Sequence, residues 1–116
     1  MRRAILEINH NLRLSLLFEL YGKLLTEKQI SFLKDFLDFD FSLSEIAEVN
    51  DSSRQSVNDL VKRSLKTLED YEAKLRFLEK FEKIKIHTNN CLCLLSKEKV
   101  PKKEISNELS RLMEVL

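Results

Sequence analysis

The chain has 116 residues, with 20 Lys and Arg against 19 Asp and Glu, a formal net charge of +1. That is one domain's worth of chain, enough to bury a core. A single Gly and a single Pro starve a β-fold of its turns, and a near-neutral balance is not the strongly basic signature that announces nucleic-acid binding by itself. Leu, Lys and Glu, which lose little side-chain freedom in a helix, dominate, so the expected class is all-α.

No stretch approaches the length of a membrane span. After Arg2 and Arg3 the apolar run Ala4-Ile5-Leu6 is interrupted by Glu7, Asn9 and His10, which argues against a signal peptide. Cys91 and Cys93 are one residue apart, too close to bridge readily, and no disulfide framework surrounds them. A reducing cytoplasm is the expected compartment.

A first helix is predicted from about Ala4 to Leu25, with Leu14, Leu17, Phe18, Tyr21, Leu24 and Leu25 on one face. Gly22 lies inside it, as if a second helix passed close by. Thr26 and Gln29 form a capping box for the next helix, which should bury Ile30, Leu33, Phe36 and Leu37 and end near Asp38. Phe39-Asp40-Phe41 reads as a connection. Ser42, with Glu45 at the matching third position, caps a short helix through Leu43, Ile46 and Ala47.

Val49-Asn50-Asp51-Ser52 contains poor helix formers, two of which tolerate a left-handed backbone, and reads as a tight turn. Ser53 caps the next helix. Lacking Gly or Pro, that helix is predicted to run to about Ile86, just short of Thr88-Asn89-Asn90. Val57, Val61, Ser64, Leu68, Tyr71, Leu75 and Leu78 give it a coiled-coil-like heptad seam, widened by Phe77, Phe81 and Ile84. Such a seam must be covered. Either the first and last helices fold back onto it, or a second subunit does, which makes a homodimer one expectation.

Beyond it, Cys91, Leu92, Leu94 and Leu95 form an apolar run and Lys97–Lys99 a polar link. Pro101 suits the first position of a last helix, with Ile105, Leu109, Leu112, Met113 and Leu116 as its buried stripe. The expected organisation is a helix-turn-helix domain with extended helix over residues 1–86 and a C-terminal helical tail, 87–116, packed on it.

The informative block is Ser42 to Lys66. A short helix, a tight turn and a longer helix at this spacing form the helix-turn-helix pattern, with Ile46 and small Ala47 against Val57. Ser53, Arg54, Gln55 and Asn58 then stand at the exposed start of the second helix, where a major-groove reader presents its side chains. Arg and Gln suit bidentate contacts to guanine and adenine, and Lys62, Arg63 and Lys66 follow as phosphate contacts. The plainer reading of the same residues is a solvated helix face, since many such motifs serve protein contacts.

Phe18-Glu19-Leu20-Tyr21, Leu24-Leu25-Thr26-Glu27-Lys28-Gln29, Ser42-Leu43-Ser44-Glu45-Ile46-Ala47-Glu48, Ser53-Arg54-Gln55-Ser56-Val57 and Lys62-Arg63 through Leu68–Leu75 together resemble the YlxM family. These are small bacterial proteins whose helix-turn-helix is similar to region four of primary sigma factors. The resemblance spans roughly Leu14 to Phe81 and does not extend past Ile86. It implies a regulatory or accessory protein of the signal recognition particle pathway, with the particle's GTPase or its RNA as partner. The alternative is a transcriptional regulator that binds DNA through Ser42–Lys66. Where family members tend to carry Gly and a small apolar residue in the turn, this chain has Asp51 and Ser52.

Charge is unevenly spread. From Glu27 to Ser52 there are seven acidic residues against two basic ones, and from Glu72 to Glu104 nine basic against five acidic. Since phosphate contact supplies most non-specific affinity, the acidic first half of the motif is a poor DNA clamp, and the basic stretch better suits RNA or an acidic partner. The plainer reading of those lysines is an exposed face paired with Glu79 and Glu82.

His10 and His87 lack acidic or cysteine neighbours at metal-ligand spacing, and Cys91 and Cys93 read as core filling. No Gly-rich phosphate loop, nucleophile–base pair or carboxylate pair in an evident pocket is present. The chain is therefore expected to have no enzymatic activity, no cofactor, no metal, no small-molecule substrate and no membrane partner.

Overall fold

The computed structural model describes residues 2–116, with side chains from Asn11 onward, so the side chain of His10 lies outside the described residues. Six α-helices and one 3-10 turn follow one another, with no strand among the described residues. They are α1 (Arg2–Tyr21), the 3-10 turn (Gly22–Leu24), α2 (Glu27–Leu37), α3 (Leu43–Val49), α4 (Arg54–Leu75), α5 (Phe77–Leu95) and α6 (Lys102–Val115). The chain divides into two compact units, one up to Leu75 and the other from Arg76 to Leu116.

In the first unit α4 is the central helix, and α1, α2 and α3 all pack against it. Val57, Val61, Ser64 and Leu68, the first four seam positions, are buried there with Leu14, Leu17, Tyr21, Leu33, Ile46 and Ala47. The seam is therefore covered by the chain's own helices over this length, and no second subunit is needed to cover it. Leu17, Leu33, Ile46 and Leu68 are fully buried, each worth about 1.5–3 kcal/mol of transfer free energy. Ser64, also fully buried, returns its hydroxyl to the Leu60 carbonyl at 2.7 Å, which satisfies it without a partner from another helix.

Among the described residues, polar contacts of Tyr21 and Arg13 join α1 to α4. The Tyr21 hydroxyl donates to a Glu72 carboxylate oxygen at 2.6 Å, in a buried setting. Nearer the surface, Arg13 makes a forked pair with Glu69, Nε to Oε1 at 3.1 Å and Nη2 to Oε2 at 2.9 Å. Exposed pairs of that kind contribute about 0–1 kcal/mol.

The capping box at the start of α2 is present as the sequence predicts, Thr26 Oγ1 accepting from Gln29 N–H and the Gln29 side chain from Thr26 N–H. Within α2 the buried pair is Phe32 and Leu33, while Ile30, Phe36 and Leu37 are half-buried. Gly22 falls outside α1, opening the 3-10 turn. Its close neighbour is the Phe18 ring of its own helix, 3.0 Å from where a Cβ would sit, not a crossing helix.

The long helix predicted from Ser53 to Ile86 is not continuous. It ends at Leu75, and Arg76 takes a left-handed backbone (φ 55°, ψ 30°) before α5 begins. A left-handed L-residue costs about 1–2 kcal/mol, and good helix formers stand on both sides. Local helix propensity does not account for the break, and the boundary between units falls eleven residues before the one read from sequence.

In the second unit α5 and α6 pack against each other, and α5 runs through Thr88-Asn89-Asn90 without interruption. The link spans residues 96–101, with Pro101 at the cap of α6, one position before the helix. Cys91 is buried, as core filling requires, but Cys93 is exposed. Of the stripe predicted for α6, Ile105 and Leu112 are half-buried, whereas Leu109, Met113 and Leu116 are exposed.

Candidate functional site: the helix-turn-helix face

The site is built by α3, its turn and the start of α4. Ser42 caps α3, its hydroxyl accepting from Glu45 N–H at 3.1 Å. Ile46 and Ala47 are buried on the inner face of α3, and Val57 is fully buried on that of α4. A small residue at Ala47 lets the two short-range helix axes approach.

The turn closes as a Schellman motif. Ser52 N–H reaches the Ala47 carbonyl at 2.9 Å and Asp51 N–H reaches Glu48 at 3.4 Å, while Asp51 takes φ 51°. Glycine is the usual occupant of that position because it has no Cβ to clash. Asp is among the L-residues that visit it, because its short polar side chain can bond locally. The Asn50 side chain adds a bond to the Ile46 carbonyl at 2.8 Å. The Asp51-Ser52 departure is thus accommodated with the turn intact.

Ser53 then caps α4, its Oγ accepting from Ser56 N–H at 3.1 Å. Of the residues singled out from sequence, Ser53, Arg54, Gln55, Lys62, Arg63 and Lys66 are exposed and Asn58 is half-buried. They do not form one cluster. At about 100° per residue, Gln55, Asn58, Lys62 and Lys66 share the outward face of α4, whereas Arg54 and Arg63 point about half a turn apart. Arg63 leans back on the Asp59 carbonyl at 3.4 Å.

Asp59, which sequence reasoning did not weigh, stands exposed on the same outward face between Gln55 and Lys62. Glu45, Glu48 and Asp51 of α3 and its turn are exposed as well. The exposed side chains of the motif are therefore mixed in charge, with bases along α4 and acids on α3 and its turn. A phosphate approaching from the α3 side meets carboxylates first, and α4 alone supplies the attraction.

A second polar cluster, also missed from sequence, joins the two helices of the second unit. Glu108 accepts from His87 Nδ1–H at 2.8 Å, from Arg111 Nη1 at 2.8 Å and from Asn90 at 3.5 Å. The His87 hydrogen bond, aided by Asn90 and Arg111, holds the Glu108 carboxyl below its ordinary value of 4.5 against the opposing effect of burial. The partners are 21 and 18 residues apart in sequence, so no local pattern reveals them. Of the lysines after Glu72, Lys83 pairs with Glu79 at 3.4 Å, one turn away, as a solvated face would have it. No group of three or more metal-ligating side chains gathers among the described residues, and no described helix is long and apolar enough to cross a membrane.

Comparison with known proteins adds to this geometry. Residues 8–112 match the profile of the UPF0122 family, described as "Putative helix-turn-helix protein, YlxM / p13 like". The match runs well past Ile86, into the tail that sequence reading left outside the resemblance. The UPF0122 protein of Halalkalibacterium halodurans is 44% identical over 109 residues, which cover 94% of this chain and 95% of that protein. That of Staphylococcus haemolyticus is 54% identical over 71 residues, 61% of this chain and 64% of its own. The relative from Clostridium acetobutylicum is 47% identical over 70 residues, 60% of either chain.

Proposed function

Because the chain belongs to the UPF0122 family of YlxM / p13-like helix-turn-helix proteins, we propose that it is a regulatory binding protein that works through helix surfaces and not through chemistry. Its partner in this reading is the signal recognition particle, met at its RNA or its GTPase. The observation that carries the reading is the mixed face of the motif. The outward side of α4 offers Gln55, Asn58, Lys62 and Lys66, while Glu45, Glu48 and Asp51 line the neighbouring α3. A duplex lying across both helices would meet like charge at its phosphates. A single-stranded or folded RNA touching α4 alone, or a protein surface carrying both signs, avoids that cost.

The second reading, a DNA-binding transcriptional regulator, draws support from the intact turn and the Ser53 cap. Together these leave Arg54 and Gln55 exposed at the start of α4, where bases are read. One experiment separates the two. The full chain and its Arg54→Ala/Gln55→Ala variant are titrated against the particle RNA with its GTPase, and against a random duplex pool from which bound sequences are recovered. The particle reading expects a complex with RNA or GTPase, little changed by the variant, and no enriched duplex. An enriched duplex motif lost in the variant, with no particle complex at micromolar concentration, overturns it in favour of DNA.

A further inference from the structure

The second unit carries an apolar surface that its own two helices leave uncovered. It is formed by Phe81, Leu92 and Leu95 on α5 and by Leu109, Met113 and Leu116 on α6, with exposures between 48% and 78%; α5 also exposes Phe77 and Ile86. Cys91, Ile84, Ile105 and Leu112, which are buried or half-buried, fill the seam between the helices.

Helix geometry puts the six on one side. Counted at about 100° per residue from Cys91, Phe81, Leu92 and Leu95 lie about 40–100° round α5, and counted from Glu108, Leu109, Met113 and Leu116 lie about 80–140° round α6 in the same sense. In an antiparallel pair, equal senses of rotation fall on the same side. The helices are antiparallel, since Lys83 and His87 share a cleft with Arg111 and Glu114, and Leu94 shares one with Glu104. Those two clefts hold the opposite, polar side. The hairpin is therefore two-faced in its main lines, with exposed Ile86 of α5 falling on the polar side.

From this geometry we infer that the apolar face of the α5–α6 hairpin docks on the same face of a second copy of this chain, the two hairpins closing into an antiparallel four-helix bundle. Two arguments select that occupant. The first is size. The unit spans residues 76–116, and a piece of about 40 residues needs a disulfide, a metal or oligomerisation to hold a core. Its cysteines are free, and the only buried residues in its two helices are Leu78 and Cys91. Two such hairpins face to face supply the four helices of a bundle, and a self-complementary patch is what a two-fold pairing requires.

The second argument is area. At roughly 170–200 Å² for a fully exposed Leu, Met or Phe, the six side chains present roughly 600 Å², close to the apolar share of the ≈ 800 Å² that each partner buries in a stable interface. The pairing does not depend on whether the first unit binds RNA, DNA or protein, so either inference can fail without the other.

The test is sedimentation equilibrium of the full chain from about 1 to about 100 µM, a span that brackets micromolar association. A dimer is expected, and Leu92→Glu with Met113→Glu should weaken it by at least about 100-fold. Hydrogen exchange gives a readout that needs no variant. Amides of α5 and α6 should lose protection as the wild-type chain is diluted through its dissociation constant, while those of α1–α4 should not. Three results overturn the inference: a monomer at every concentration; a dimer unchanged in the folded double variant; or a dimer that Val49→Glu, on α3, disrupts while the hairpin variant does not.

Discussion

Removing one oxygen from the first unit tests how its helices are held. In Tyr21→Phe the ring keeps its place in the core, where Tyr21 is 2% exposed, and the 2.6 Å bond to Glu72 is lost. The bond links the end of α1 to α4 across 51 residues, so it is formed only when the unit is folded. Its acceptor is a carboxylate, 7% exposed, too sheltered for solvent to replace the lost donor at no cost. Hydrogen bonds to charged groups contribute about 1.5–3 kcal/mol, and the loss is expected in that range. At a urea slope of about 2 kcal/mol per molar, the midpoint should fall by about 1 M. Combining Tyr21→Phe with Glu72→Gln in a double-mutant cycle isolates the pair. Protein concentration must be held fixed, because self-association would make stability concentration-dependent. A Tyr21→Phe midpoint within about 0.2 M of wild type, equivalent to under about 0.5 kcal/mol, would refute the assignment of this bond as a tie between α1 and α4.

Three further outcomes are expected. Asp51→Gly exchanges relief of a left-handed backbone for greater freedom of the unfolded chain, so its stability should stay within about 0.5 kcal/mol of wild type, whereas Asp51→Val should lose about 1–2 kcal/mol by thermal melting. Glu108, whose carboxyl is held below 4.5, binds its proton more readily in the unfolded chain. It therefore stabilises the hairpin fully above the ordinary carboxylate value, and that contribution is lost as pH falls through the depressed folded value. Helicity followed during acid titration should show this loss, and Glu108→Gln should remove it. If RNA or DNA meets Lys62, Arg63 and Lys66 as phosphate contacts, the logarithmic salt slope should be about −2 to −3, and Lys62→Ala should reduce it by about 1 in a filter-binding titration.

Much of this molecule is legible in local sequence. The capping box Thr26–Gln29, the Ser42 and Ser53 caps and the turn before Ser53 depend on residues three or four apart, and all form as read. The burial of Ile46, Ala47 and Val57 follows from the same periodicity. What escaped is non-local. Arg76 carries no Gly or Pro signal, yet takes a left-handed backbone between stretches of good helix formers. The heptad seam reads equally well as a dimer contact or an internal one, and only the placement of α1–α3 settles it for Val57–Leu68. Glu72 and Glu108 look like surface acids in a charged helix, yet their partners Tyr21 and His87 lie 51 and 21 residues away. Asp59 was visible in the sequence, and helical rotation from Gln55 would have placed it on the candidate face.

The mixed charge of the motif and the two-faced hairpin bear on each other. One head offers three bases on α4 to a polyanion, with Glu45, Glu48 and Asp51 exposed on α3 and its turn, and a slope of about −3 corresponds to little non-specific affinity at physiological salt. Joining two such heads raises the second contact to an effective concentration near millimolar, which increases overall affinity about 10²–10⁴-fold without any new contact, provided both heads reach the same target. A head too weak to hold alone then makes occupancy depend on assembly. The Leu92→Glu/Met113→Glu chain, which keeps every residue of α3 and α4, should accordingly lose about 100-fold in affinity for a target long enough to engage two heads, and lose little for a fragment that engages one. Equal affinity of wild type and variant for the long target would show that the heads act singly, and that hairpin pairing serves the stability of the second unit alone.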